Sequence, residues 1–175
     1  TEEDQATSSE KDQPTTTDQS ASEVPMFRYN AANTGARPDE PGPQTSVAEQ
    51  WAFQTRSSIS MAPAVVDNTV YAAGEDSRVY ALNISDGSRQ WEVYIGSSMR
   101  SSPAVVDGTV YGGGGGGVFA LGAHDGSPQW GFENGHGGWA SPAGGGGNLF
   151  VGGPSKPVDW LDAAGGAEKW GFGSG

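Results

Sequence analysis

The chain has 175 residues, with 21 Asp and Glu against 9 Lys and Arg, 29 Gly, 11 Pro and no Cys. The net charge of −12 excludes a nucleic-acid binder that works by neutralising phosphates, since no basic cluster exists to release counterions. The lack of Cys excludes a disulfide scaffold, a thiolate metal site and a cysteine nucleophile, and no apolar run approaches the ~18 residues of a membrane-spanning helix.

The chain divides into three parts. Residues 1–25 read as a disordered acidic Ser/Thr-rich tail or stalk. Glu2, Glu3, Asp4, Glu10, Asp12, Asp18 and Glu23 stand there against Lys11 alone, and no aromatic residue offers area to bury. A chain that starts at Thr1 reads as a processed or excised product whose targeting segment has been removed. Residues 26–50 form a lead-in, and residues 51–175 carry the repeats.

The repeats are set by tryptophan. Trp51, Trp91, Trp130 and Trp170 are 40, 39 and 40 residues apart, and Pro63, Pro103 and Pro142 keep the same beat. The segment Pro63-Ala64-Val65-Val66-Asp67-Asn68-Thr69-Val70-Tyr71 returns as Pro103-Ala104-Val105-Val106-Asp107-Gly108-Thr109-Val110-Tyr111. Val79-Tyr80-Ala81-Leu82 returns as Val118-Phe119-Ala120-Leu121, each followed by Asp-Gly (Asp86-Gly87, Asp125-Gly126) and then by Trp. The Trp-to-Trp units are about 51–90, 91–129 and 130–170.

Each unit predicts four short strands. Asp67-Asn68 and Asp107-Gly108 supply the positive φ angles of two-residue type I′ hairpins. Ser85-Asp86-Gly87-Ser88 turns a second hairpin in the same period. Gly and Pro interrupt every window in which a helix could form. The expected fold is therefore all-β, with β-propeller blades of four antiparallel strands repeating every ~40 residues. Three periods make an open or partial propeller, because closure takes about four to eight blades. The array thus reads as a fragment with free edges that invite self-association.

In the third copy, Gly144, Gly145 and Gly146 stand in the places of Val65, Val66 and Asp67, and Asp159 in that of Tyr80. The run Gly112 to Gly117 replaces a strand end in the second copy. Each Gly in a strand costs about 0.5–1 kcal/mol relative to Ala, so copies two and three are expected to be less stable than the first, with mobile Gly runs.

At these residues the sequence resembles the pyrroloquinoline-quinone-type (PQQ-like) repeat propellers, whose blades carry an 11-residue tryptophan-docking motif of Ala, Asp, Gly and Trp at places one, three, seven and eleven. That pattern appears here as Ala81, Asn83, Gly87 and Trp91, and again as Ala120, Gly122, Gly126 and Trp130, with Asn and Gly at the place of the Asp. A third copy keeps Asp162, Gly166 and Trp170 with Trp160 where Ala belongs. The resemblance implies that each docked Trp stacks on the neighbouring blade and ties the blades together. The lead-in from Phe27 to Gly35 is similar to that of secreted or surface-anchored members from salt-loving archaea, and the sequence has only three Lys.

The enzymes of the family bind their quinone with a vicinal Cys pair, calcium ligands, a catalytic Asp and a Trp floor. Here there is no Cys, the tryptophans are accounted for by docking, and Asp67, Asp86, Asp107 and Asp125 fall in turns. No catalytic or metal-binding residue is expected. His124 and His136 read as surface-loop histidines without partners at ligand spacing, and Trp139 as a core aromatic rather than part of a binding surface. The Gly runs lack the strand–helix context of a phosphate loop. Asn83-Ile84-Ser85 is an N-glycosylation sequon beside a turn.

The expected function is a non-catalytic repeat module of an exported or surface-anchored protein, held extracellularly or at the cell surface through a removed N-terminal signal. It would act as a scaffold or binding platform for a protein or other macromolecular partner, with no nucleic acid and no cofactor. The alternative is a fragment of a quinone-dependent dehydrogenase, with PQQ and calcium, whose cofactor site lies in missing blades.

Overall fold

The computed structural model describes residues 48–133, 140–153 and 158–172. The tail of residues 1–25, the Phe27 to Gly35 segment, His136 and Trp139 lie outside them. The described residues contain no helix and form three four-stranded antiparallel sheets, each a simple meander. The first blade contains β1 (Ala64–Val66), β2 (Thr69–Ala73), β3 (Arg78–Asn83) and β4 (Arg89–Tyr94). The second contains β5 (Ala104–Val106), β6 (Thr109–Gly114), β7 (Gly117–Gly122) and β8 (Pro128–Phe132). The third contains β9 (Ala143–Gly145), β10 (Asn148–Val151), β11 (Val158–Asp162) and β12 (Glu168–Phe172).

Turn chemistry fixes this registry. Asp67 and Asn68 take φ of 48° and 61°, Asp107 and Gly108 49° and 73°, and Gly146 and Gly147 59° and 76°. Two successive positive φ values are the type I′ signature, and they set Val66 opposite Thr69, Val106 opposite Thr109 and Gly145 opposite Asn148. The third copy thus builds the same hairpin from glycines alone. The second turn of each blade is bonded to the first: Ile84 N–H donates to Asn68 O, Ala123 N–H to Gly108 O and Ala163 N–H to Gly147 O, at 2.9, 2.9 and 3.1 Å. Both turns of a blade therefore share one rim. Each blade ends on its Trp strand, so a Trp-to-Trp unit straddles two blades.

The core lies between the blades. Strand alternation sends Tyr71, Ala73, Val79, Ala81 and Trp91 from the first blade against Val105, Val110, Phe119 and Leu121 of the second. The opposite face of the second blade sends Tyr111, Val118 and Ala120 against Leu149, Val151 and Leu161 of the third. β6 and β7 are buried along their whole length because both faces are covered. The glycine run is part of this packing. Gly112 pairs with Phe119, and a Cβ on Gly112 would overlap the Phe119 ring. The missing side chain makes room for the aromatic ring that reaches the first blade, which offsets the backbone entropy that glycine costs. Asp159 is buried where Tyr80 and Phe119 stand in the other blades.

Candidate functional site

The chemically distinctive side chains converge at the junctions between blades. Gly87, Gly126 and Gly166 occupy the left-handed region at φ of 70°, 71° and 69°, each in the turn that enters a fourth strand. Over each lies an indole from the preceding segment. A Cβ on Gly87 would come within 2.5 Å of Trp51 Cε3, one on Gly126 within 2.8 Å of Trp91 Cε3, and one on Gly166 within 2.5 Å of Trp130 Cε3. Glycine is thus required twice over, for the backbone angle and for the ring. Each indole N–H donates to the carbonyl three residues before that glycine: Trp51 to Ile84 at 2.8 Å, Trp91 to Ala123 and Trp130 to Ala163 at 3.0 Å.

Ala81 and Ala120 are fully buried and face Trp91 and Trp130 across the third and fourth strands. In the last blade that place is taken by Trp160, opposite Trp170. Trp160 stacks on Phe150 at 6.0 Å and meets Trp170 edge-on at 6.1 Å, while Lys169 Nζ lies 5.4 Å over the Trp160 ring. Trp170 is exposed. At the third place of the repeat, Asn83 Oδ1 accepts from the Ser85 amide and hydroxyl, and Asp162 Oδ1 accepts from the Ala164 amide. Gly122 lacks a side chain there, and Asp125 fills the space: a Cβ on Gly122 would meet Asp125 Oδ1 at 2.7 Å. The Ser88 hydroxyl and amide hold Asp86 below the usual carboxylate range, and the Ser127 amide and hydroxyl do the same for Asp125.

Sequence reasoning missed a second donor at the two junctions between blades. Tyr71 OH donates to Ala123 O at 3.2 Å and Tyr111 OH to Ala163 O at 3.1 Å, so one carbonyl receives both a phenol and an indole from the blade before it. The rings tilt together at 5.9 Å (Tyr71 and Trp91) and 5.8 Å (Tyr111 and Trp130). Burial pushes both phenol pKa values up. The signal was present in the 40-residue spacing of the two tyrosines, but a backbone carbonyl has no letter of its own. Beside Tyr71 and Ala123 a hollow of about 370 Å³ opens, lined also by Asp67, Thr69, Gln90 and His124. Thr69 and Gln90 close one side with a hydrogen bond of 3.1 Å. The residues lining it offer one carboxylate and one imidazole. Nowhere among the described residues do three His, Asp or Glu side chains come together as metal ligands would.

A segment outside the sheets completes the first junction. Residues 48–60 belong to no strand, yet Trp51 holds Gly87 as the blade tryptophans hold theirs. Phe53 meets Tyr80 edge-on at 5.6 Å, the Arg56 amide donates to Asp76 at 3.3 Å, the Glu75 amide to Ser58 O at 3.0 Å, and the Ser60 hydroxyl to Glu75 at 2.7 Å. Tyr80 OH donates to Asp76, and burial together with that carboxylate pushes its pKa up to about 12.

A family model described as outer membrane protein assembly factor BamB matches residues 44–138. No curated protein matches the sequence. Among solved structures, BamB from Moraxella catarrhalis is similar at 21% identity and TM-score 0.63, over 70% of this chain and 39% of that one. Quinohemoprotein alcohol dehydrogenase from Comamonas testosteroni aligns at 20% identity and TM-score 0.72, over 87% of this chain and 27% of that one. A europium-containing methanol dehydrogenase aligns at 20% and 0.73, over 87% and 32%. At these identities the likeness is one of fold. The chain spans well under half the length of each of these structures.

Proposed function

The chain belongs to the PQQ-like repeat family described as outer membrane protein assembly factor BamB, and from that membership we propose that it is a non-catalytic β-propeller repeat module. It is part of an exported or surface-anchored protein and presents its blade loops to a protein or other macromolecular partner. The observation that carries this reading is the commitment of the aromatic polar groups to blade joining. The indoles of Trp51, Trp91 and Trp130 and the phenols of Tyr71 and Tyr111 each donate to a carbonyl across a junction. These groups act as the docking girdle of the array and leave recognition to the turns on the rim. No helix among the described residues is long and apolar enough to cross a membrane, so attachment in this reading rests on the N-terminal region.

The second reading, part of a quinone-dependent dehydrogenase, is favoured by the 87% of this chain that such enzymes cover. Trp91 and Trp130 press against Gly126 and Gly166 with their N–H groups engaged, so neither supplies a free ring face as a floor. Thermal unfolding of the full chain with and without PQQ and calcium separates the two. The module reading expects an unchanged Tm; a Tm that climbs with ligand concentration, as mass action requires of any native-state ligand, would carry the enzyme reading instead.

A further inference from the structure

The turn that follows β3 differs from its counterparts in the other two blades in one chemical respect. Its third-place residue is Asn83, where the second blade has Gly122 and the third Asp162, and Ser85 stands two residues on. Asn83 Oδ1 accepts from the Ser85 amide at 2.9 Å and from the Ser85 hydroxyl at 2.8 Å. Asp162 Oδ1 closes the same turn with the Ala164 amide alone, so a carboxylate is enough for the structural task. Asn83 adds a carboxamide nitrogen to it, and among the described residues nothing accepts a hydrogen bond from that nitrogen. The amide is planar, so with Oδ1 turned onto Ser85 its Nδ2 lies on the side away from those donors. The surrounding backbone is pinned. Asn83 N–H donates to Ser88 O at 2.8 Å, Gly87 N–H to Asn83 O and Ile84 N–H to Asn68 O at 2.9 Å, and the Trp51 indole to Ile84 O at 2.8 Å. Ile84, Ser85 and Asp86 are exposed.

We propose that Asn83 is a glycan attachment site, and that the folded turn presents its Nδ2 ready-made to a sugar donor linked to a polyprenyl phosphate. The geometry separates the two halves of the carboxamide: Oδ1 holds the turn and Nδ2 reacts. In the transfer a bond forms between Nδ2 and C1 of the first sugar, and the bond from C1 to the donor's phosphate oxygen breaks. Nδ2 gives up one proton to a base of the transferase, and the lipid phosphate leaves as the anion. The product is still an amide whose Oδ1 keeps both bonds from Ser85, so the turn survives the modification. The Ser85 hydroxyl is the feature that marks such a triplet for a transferase, and Asn83-Ile84-Ser85 is the one Asn-x-Ser/Thr triplet in the 175 residues. A bulky hydrophilic group belongs on an exposed turn, and here it shields Ile84, an apolar side chain that is 40% exposed. The inference rests on the exported reading, because lipid-linked donors of this class serve proteins that leave the cytoplasm.

The test is transfer in vitro. The full chain, shown to be folded by near-UV circular dichroism, is incubated with an oligosaccharyltransferase and a polyprenyl-phosphate-linked oligosaccharide, and intact mass and peptide mapping read the product. One glycan is expected, on the peptide that contains Asn83. Asn83→Asp keeps the Oδ1 acceptor, as Asp162 does in the third blade, so it should retain the parent's spectrum and Tm while losing the whole mass gain. Ser85→Ala should lose the gain with the fold retained, and Ser85→Thr should restore it. A folded parent chain that gains no sugar overturns the proposal, whether or not its unfolded form is glycosylated. A gain that persists in Asn83→Asp overturns it as well, in favour of sugar on hydroxyl groups. The assay reads Asn83 whether or not the chain is exported, so its failure counts against this site alone. An intracellular location of the natural protein, read by cell fractionation, counts instead against the exported reading.

Discussion

Gly108 and Gly126 share nearly the same backbone angle, φ of 73° and 71°, but only one has a neighbour. A Cβ on Gly108 meets nothing within 4 Å, whereas one on Gly126 meets Trp91 and Val93 at 2.8 Å. Replacing each by Ala separates the conformational cost from the contact. Gly108→Ala is expected to destabilise by about 1–2 kcal/mol, the cost of a left-handed L-residue, and Gly126→Ala by roughly 1–3 kcal/mol more for overpacking; denaturant unfolding of the two variants should differ by that margin. Tyr80 gives a pH-dependent counterpart. Its folded pKa of about 12 lies above the value near 10 of a free tyrosine, so its contribution is complete below pH ~10 and is lost as pH rises from there towards 12. Tyr80→Phe should unfold more easily at neutral pH, by about 1 kcal/mol for the lost bond to Asp76, and its stability should fall less steeply than the parent's over that alkaline window in pH-resolved melts. The doubly used carbonyls of Ala123 and Ala163 belong to this scale too, and no sequence pattern announces them, because the acceptor is backbone and the residue in that place is Ile in the first copy.

Strands and turns were legible where their chemistry is local. Asp-Asn and Asp-Gly between Val-Val and Thr-Val specify a type I′ hairpin by the angles that they tolerate, and the third blade shows that the angle matters more than the letters, since Gly146-Gly147 makes the same turn. What composition concealed was the use of glycine inside a strand. With Gly112 read as an interruption, β6 would be expected to end early; it runs to Gly114 because Phe119 folds across the bare backbone. Register, which decides that Gly112 faces Phe119, is a property of the paired sheet and not of either strand. Gly112→Ala is therefore expected to destabilise by about 1–3 kcal/mol although Ala has the better intrinsic propensity. A double-mutant cycle with Phe119→Leu, followed by chemical denaturation, should recover part of the loss; additive effects would show that the ring is not the cause. Trp51 was legible as one beat of the tryptophan period, but its place in the array was not, because it docks as a blade residue without a blade.

At the scale of the molecule, the three described sheets share two core clusters, and among the described residues only the second blade has a blade on each face. The net charge of −12 works against the compact state through self-repulsion, which salt screens. The Tm of the full chain is accordingly expected to rise between low and molar salt, and a scan at constant pH checks it. A stack in which each layer rests on its neighbours behaves as a one-dimensional lattice. Among the described blades opening then starts at the outer two and works inward, so amide protons should exchange in an ordered sequence: first those of the third blade, whose Phe150 and Trp170 are exposed, then those of the first blade, which residues 48–60 cover, and last those of β6 and β7. The all-glycine hairpin and the buried phenyl that crosses Gly112 would sit at opposite ends of that protection gradient, so the same amino acid would mark both the earliest and the slowest amides to give up their protons.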